Sequence, residues 1–223
     1  MTNFYQAILW LHIIFGTIAL ILFWITAGAK KGSALHVLSG KYYFIFMWIV
    51  VISALVLCIF KITFKQYQGT IYLGFLALLL ADPLWYSKAI LKEGKILSRS
   101  FILIKRTFGA LLFVYGLGLI IIAQLDIFKG NMVLFYIFGG IGLLGIFDVF
   151  KTKSVEITQN HKLKLHIQGT ILSGMAGHTA FIIFGANDLI TKSLPENVAI
   201  IPWILPILIA LVMIKYFSKK FLK

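Results

Sequence analysis

The residues able to do chemistry in this chain are few, and they stand in unusual places. Of 223 residues, 61% are hydrophobic and only 13% are charged. All five histidines, His12, His36, His161, His166 and His178, lie inside or at the edge of long apolar runs, as do Asp82 and Asp148. An ionisable side chain held in hydrocarbon costs roughly 3 kcal/mol or more unless it is paired or hydrated. Residues kept at that cost are the first place to look for function.

Depth along the apolar runs sorts these residues into two tiers. His12 stands about 10 Å inside the first run at about 1.5 Å per residue, and His178 is expected at a similar depth from the same side. His36, His166, Asp82 and Asp148 belong to the opposite side. Neutral imidazoles from facing helices can ligate haem iron, and two stacked haems could carry electrons across a bilayer. The cofactor-binding candidates are therefore His12, His36, His166 and His178, with haem b as the cofactor. Gly16 and Gly169 would let a porphyrin approach the backbone, and Thr17, Thr170 and Ser173 could hydrogen-bond around it. One spacing works against a shared face: His166 and His178 are 12 residues apart, which turns them about 120° from one another on a straight helix.

A second chemistry uses the other tier alone. His36, His166, Asp82 and Asp148 form an N/O ligand set suited to a single Zn or Fe ion, and a zinc-bound water could serve hydrolysis. No HxxxH or HExxH spacing supports it. His161 is followed by Lys162, Leu163 and Lys164, so it reads as an interfacial residue near the start of a helix, with Asn160 as its N-cap.

These side chains need long elements to carry them, and the sequence supplies seven. Apolar runs span about 4–28, 38–61, 69–87, 107–125, 132–150, 164–186 and 198–217. About 20 apolar residues suffice for a helix to cross a bilayer. Transmembrane strands would alternate polar and apolar, whereas Leu117 to Ala123 and Ile200 to Met213 are apolar on every side. The expected fold is an all-α integral membrane protein, a bundle of about seven transmembrane helices forming one domain over residues 1–223.

The basic residues give the bundle a direction. The connections after the first, third and fifth runs and the C-terminal tail hold Lys30, Lys31, Lys41, Lys88, Lys92, Lys95, Arg99, Lys105, Arg106, Lys151, Lys153, Lys162, Lys164, Lys215, Lys219, Lys220 and Lys223. The other side holds Lys61, Lys65, Lys129 and Lys192, so the asymmetry is 17 to 4. By the positive-inside rule the N-terminus is outside and the C-terminus cytoplasmic. The expected location is the cell's inner (cytoplasmic) membrane. The net charge of +14 thus faces lipid headgroups, and nucleic acid is not an expected partner. The first run lacks a basic segment before it and reads as a retained helix, not a signal peptide.

Smaller signals complete the reading. Cys58 is the lone cysteine, which excludes an intrachain disulfide and a multi-cysteine metal site. Gly169, Ser173 and Gly177 recur at four-residue spacing, and Gly139, Gly140, Gly142 and Gly145 cluster in the fifth run. Both patterns favour close helix packing or, alternatively, room for a flat cofactor. Pro83, Pro202 and Pro206 interrupt apolar runs. Neither a Walker phosphate loop nor a strand-flanked glycine fingerprint is present.

The segment from His12 to Tyr43 resembles a family of uncharacterised bacterial multi-pass membrane proteins, known only as a domain of unknown function. The resemblance rests on His12 and Gly16, on Lys31-Gly32-Ser33-Ala34-Leu35-His36 and Gly40, on Tyr42 and Tyr43, and on His166 with Thr179-Ala180-Phe181. It implies a multi-pass membrane fold and marks His12, His36 and His166, with no activity attached. The leading functional expectation is a haem b-binding electron-transfer protein, which calls for a quinone or a protein redox partner. The rivals are a Zn- or Fe-dependent intramembrane enzyme and a cofactor-free transporter or assembly factor.

Overall fold

The computed structural model describes residues 2–125, 127–128, 132–186 and 201–222, and structural statements concern these alone. Lys129, Lys192 and Lys223, counted in the charge asymmetry, and residues 198–200 of the last apolar run lie outside them. The helices are α1 (Thr2–Gly28), α2 (Ala34–Thr63), α3 (Tyr67–Ala89), α4 (Arg99–Gln124), α5 (Met132–Leu143), α6 (Gly145–Lys151), α7 (Gln159–Ala180) and α8 (Ile201–Phe221). A 3₁₀ turn, Ile90–Lys92, extends α3, and a π turn, Phe181–Gly185, extends α7. Taking α5 and α6 together, seven helical segments are long and apolar enough to cross a membrane.

Several helices outrun the apolar stretches that reveal them. The fourth was expected from residue 107 but α4 begins at Arg99, where Ser98 caps it by accepting the Phe101 N–H at 3.2 Å. The sixth was expected from residue 164 but α7 begins at Gln159. There Thr158, rather than Asn160, is the cap, its hydroxyl accepting the His161 N–H at 3.2 Å. A helix continues as long as its backbone hydrogen bonds do, whether or not its side chains are apolar. Basic turns therefore extend it past the hydrocarbon-length run. Pro83 and Pro206 are inside α3 and α8.

The chain packs as two compact units: Met1–Leu84 with Ile171–Val212, and Trp85–Thr170 with Met213–Lys223. In unit 1, α1 and α2 form an antiparallel hairpin. Gly32, at φ 79°, makes the left-handed turn between them. His12 meets Ser53 and Thr26 meets Ser39 in one register. Phe15–Phe46 and Phe23–Tyr43 ring contacts fill the seam between those pairs.

Unit 1 buries several polar side chains within an apolar core built on Phe23, Tyr43, Met47, Phe75 and Leu84, and exposes large apolar ones. Thr26, Ser39, Ser53, Thr70, Asp82, Ser173 and Thr179 are buried. Trp10, Ile14 and Ile21 of α1 are 52–62% exposed. An outer surface of large apolar side chains is the kind a hydrocarbon solvent favours, because lipid tails are as apolar as the side chains that would face them.

In unit 2, glycines bring α4 against α5 and α6. A Cβ on Gly142 would stand 2.7 Å from both the Gly116 Cα and the Leu112 carbonyl oxygen, and one on Gly116 would stand 2.6 Å from the Gly139 carbonyl oxygen. The glycine cluster of the fifth apolar run thus seats the backbone of α4 at Gly139, Gly142 and Gly145. A second small core lies at one end of the unit, where Tyr86, Ile90, Leu97, Phe101 and Ile157 are buried together.

Candidate functional site

The turn between α1 and α2 positions the first candidate. Ser33 caps α2 by accepting the His36 N–H at 3.3 Å. That start brings His36 back over the end of α1, where its Nδ1 lies 3.0 Å from the Thr26 carbonyl oxygen. A carbonyl only accepts, so Nδ1 carries the proton and Nε2 the lone pair. The Lys31 ammonium donates to the carbonyls of Thr26 and Ala27 at 3.1 and 3.0 Å, placing a cation at the negative end of α1. Beside it, the Thr26 hydroxyl donates to Ser39 at 2.8 Å and Ser39 donates to the Leu35 carbonyl at 2.6 Å. The basic turn, the histidine and two buried hydroxyls form one hydrogen-bonded assembly.

His12 sits farther up the same hairpin. Its Nδ1 lies 2.9 Å from Ser53 Oγ. The Ser53 hydroxyl spends its proton on the Val50 carbonyl at 3.0 Å, so Oγ accepts and His12 Nδ1 donates. Again the lone pair is left on Nε2. Near it, Gly16 faces only Val50, at an ordinary contact distance of 3.7 Å for an added Cβ. Thr17, expected to hydrogen-bond around a cofactor, is exposed and donates to the Ile13 carbonyl of its own helix.

His178 is held differently. Its Nδ1 lies 2.7 Å from the Gly174 carbonyl oxygen, and its Nε2 accepts from the Trp24 indole N–H at 2.9 Å. Both ring nitrogens are therefore engaged, and the imidazole is neutral by geometry. Phe23 and Trp24 both pack edge-on to the ring at 5.6 Å. Phe23 also fills the space over Gly174 that a side chain there would need. One residue before Gly174, Ser173 shares a 2.8 Å hydrogen bond with Tyr43, and both are wholly buried.

This geometry regroups the histidines of unit 1. Trp24 is 12 residues beyond His12 on α1, roughly 18 Å at 1.5 Å per residue. His178 therefore does not face His12 as an outer pair; it lies near the level of Thr26 and His36. Counting residues from a helix end yields depth only when helices start flush, and α1 and α7 are staggered. Asp82, next to Pro83 in α3, is buried and has a polar or electrostatic partner.

Unit 2 holds the remaining candidates. His166 on α7 has its Nδ1 2.8 Å from the Ser87 carbonyl oxygen of α3, so this nitrogen too is the protonated one. Asp148 on α6 pairs with Lys105 of α4 at 2.7 Å, and the Lys105 ammonium lies 4.6 Å from the centre of the Tyr86 ring. Asp148 thus closes α6 onto α4 as an ion pair. His161 is exposed. Among the described residues no group of three or more His, Cys, Asp or Glu side chains is placed to hold a metal ion.

Two partners escaped the sequence reading: Trp24 for His178 and Tyr43 for Ser173. They are separated by 154 and 130 residues, and Trp and Tyr in apolar runs look like lipid- or core-facing aromatics until the tertiary fold pairs them. No family model matches the chain, and comparisons with curated proteins and with solved structures found no match either.

Proposed function

We propose that this protein is a multi-pass membrane protein of the inner (cytoplasmic) membrane, N-terminus outside, that binds haem b through histidine imidazoles and carries electrons. The observation behind this reading is the shared tautomer of His12, His36 and His166. Each directs Nδ1–H at an oxygen acceptor, which leaves Nε2 as the nitrogen able to ligate iron. Ligand histidines are typically oriented and made more basic by such a bond from the other nitrogen. His178 fits less well, because Trp24 occupies its Nε2.

Haem would supply the one-electron chemistry when bound. The residues of the chain do the rest. Thr26 and Ser53 fix the ring orientation of His36 and His12. Apolar side chains of the α1–α2 hairpin would surround the bound group. Lys31 sets a positive charge beside His36. His12 and His36 lie at different levels of the hairpin, so each would serve a separate position. The proposed electron-exchange partner is a quinone or a redox protein. The Zn or Fe reading draws less support, since Asp148 is committed to Lys105.

The test is an absorption spectrum of detergent-purified protein expressed with haem supplied. A Soret band is expected, with part of its intensity lost in His12→Ala and in His36→Ala. Folded protein with no Soret band would refute the proposal.

A further inference from the structure

We propose that the paired loops 93–98 and 152–158 of unit 2 form a binding surface for anionic phospholipid headgroups. This rests on the chain lying in a membrane and is independent of the haem reading. The two loops are fixed to one another. The Ile157 N–H donates to the Lys95 carbonyl at 2.7 Å, Ile96 and Glu156 form an antiparallel bridge, and the Lys162 ammonium donates to the Glu93 carbonyl. Each loop sends one apolar residue inward, Leu97 and Ile157, into the small core on Tyr86, Ile90 and Phe101. Each also leaves one apolar residue outside: Ile96 is 57% exposed and Val155 51%.

The cations around this platform point outward. Lys92, Lys95, Arg99, Lys151, Lys153 and Lys164 are all exposed. Opposing negative charge is scarce. The Glu93 carboxylate accepts from the Ser98 hydroxyl, 2.9 Å away, and from the Ser98 N–H, so it and the exposed Glu156 are the two acids of these loops against six exposed cations. A rigid surface of cations interspersed with outward aliphatic side chains matches the headgroup region, where phosphates meet the first methylenes. An acidic soluble partner would account for the lysines but not for Ile96 and Val155 between them.

The experiment uses full-length protein and native mass spectrometry with phosphatidylglycerol or phosphatidylcholine added. Phosphatidylglycerol should be retained preferentially, and millimolar inorganic phosphate should not displace it. A cation near an anionic surface strengthens binding by roughly fivefold. The triple variant Lys92→Gln, Lys95→Gln, Lys153→Gln should therefore lose about a hundredfold of that retention. Replacing the same three residues by Arg should preserve it, which separates charge from folding. Changing Lys61 and Lys65 to Gln, at the α2–α3 connection, should leave it unchanged. Equal retention of both lipids, displacement by phosphate, or a triple Gln variant that binds like the parent would each overturn the proposal.

Discussion

At the residue scale, the imidazoles are defined by what their nitrogens meet. His12, His36 and His166 donate from Nδ1 to an oxygen, while His178 uses both nitrogens, the second to accept from Trp24. Trp24→Phe keeps an aromatic ring but removes the N–H. His178 Nε2 then loses its donor in apolar surroundings, a loss of about 1–3 kcal/mol. The expected outcome is a lower melting temperature in detergent together with a changed ¹⁵N shift at His178 Nε2. An unchanged shift would mean that the indole does not hold this nitrogen. The histidines themselves were legible in the sequence, because an ionisable group in an apolar run stands out by type alone. Their partners were not: a backbone carbonyl carries no sequence signature, and Trp24 is 154 residues from His178.

At the element scale, close packing in unit 2 depends on glycines that turn toward a neighbouring backbone. Gly142→Ala would put a methyl group 2.7 Å from the Gly116 Cα and the Leu112 carbonyl. Because these contacts are backbone, α4 and α5 must separate, at a cost of about 1–3 kcal/mol. Gly140→Ala, with nothing within 4 Å of the added carbon, should melt like the parent. If the two alanine variants melt together, the close approach is not what stabilises this pair. The sequence showed the glycine cluster but left open whether it faced a helix or a flat cofactor; at Gly139, Gly142 and Gly145 the occupant is α4. Helix ends were the weaker part of the reading. α4 and α7 begin at Arg99 and Gln159, in basic segments that apolar runs do not mark.

At the scale of the whole molecule, the described residues include seven helical segments long and apolar enough to cross a membrane, and most basic residues fall in alternate connections along the sequence. The positive-inside rule then predicts an orientation. A fluorescent reporter active only in the cytoplasm, fused at the C-terminus, should be bright. A periplasm-active enzyme fused there should be silent, and the N-terminus should behave in the opposite way. A reversed pair of signals would reject the orientation and, with it, the assignment of the basic loops to the cytoplasmic face.

The sequence by itself determined that this chain builds long apolar helices and where most of them run, because hydrophobicity belongs to each residue and a run of about 20 needs no partner to be recognised. It also isolated the few ionisable groups that such helices must accommodate. Only the tertiary structure decided which of those groups meet. The stagger of α1 against α7 moved His178 away from the level of His12 and onto Trp24, and a salt bridge to Lys105 took Asp148. Register between helices distant in sequence is set by the fit of whole surfaces, by Phe23 over Gly174 and Tyr43 on Ser173, and no local pattern encodes it.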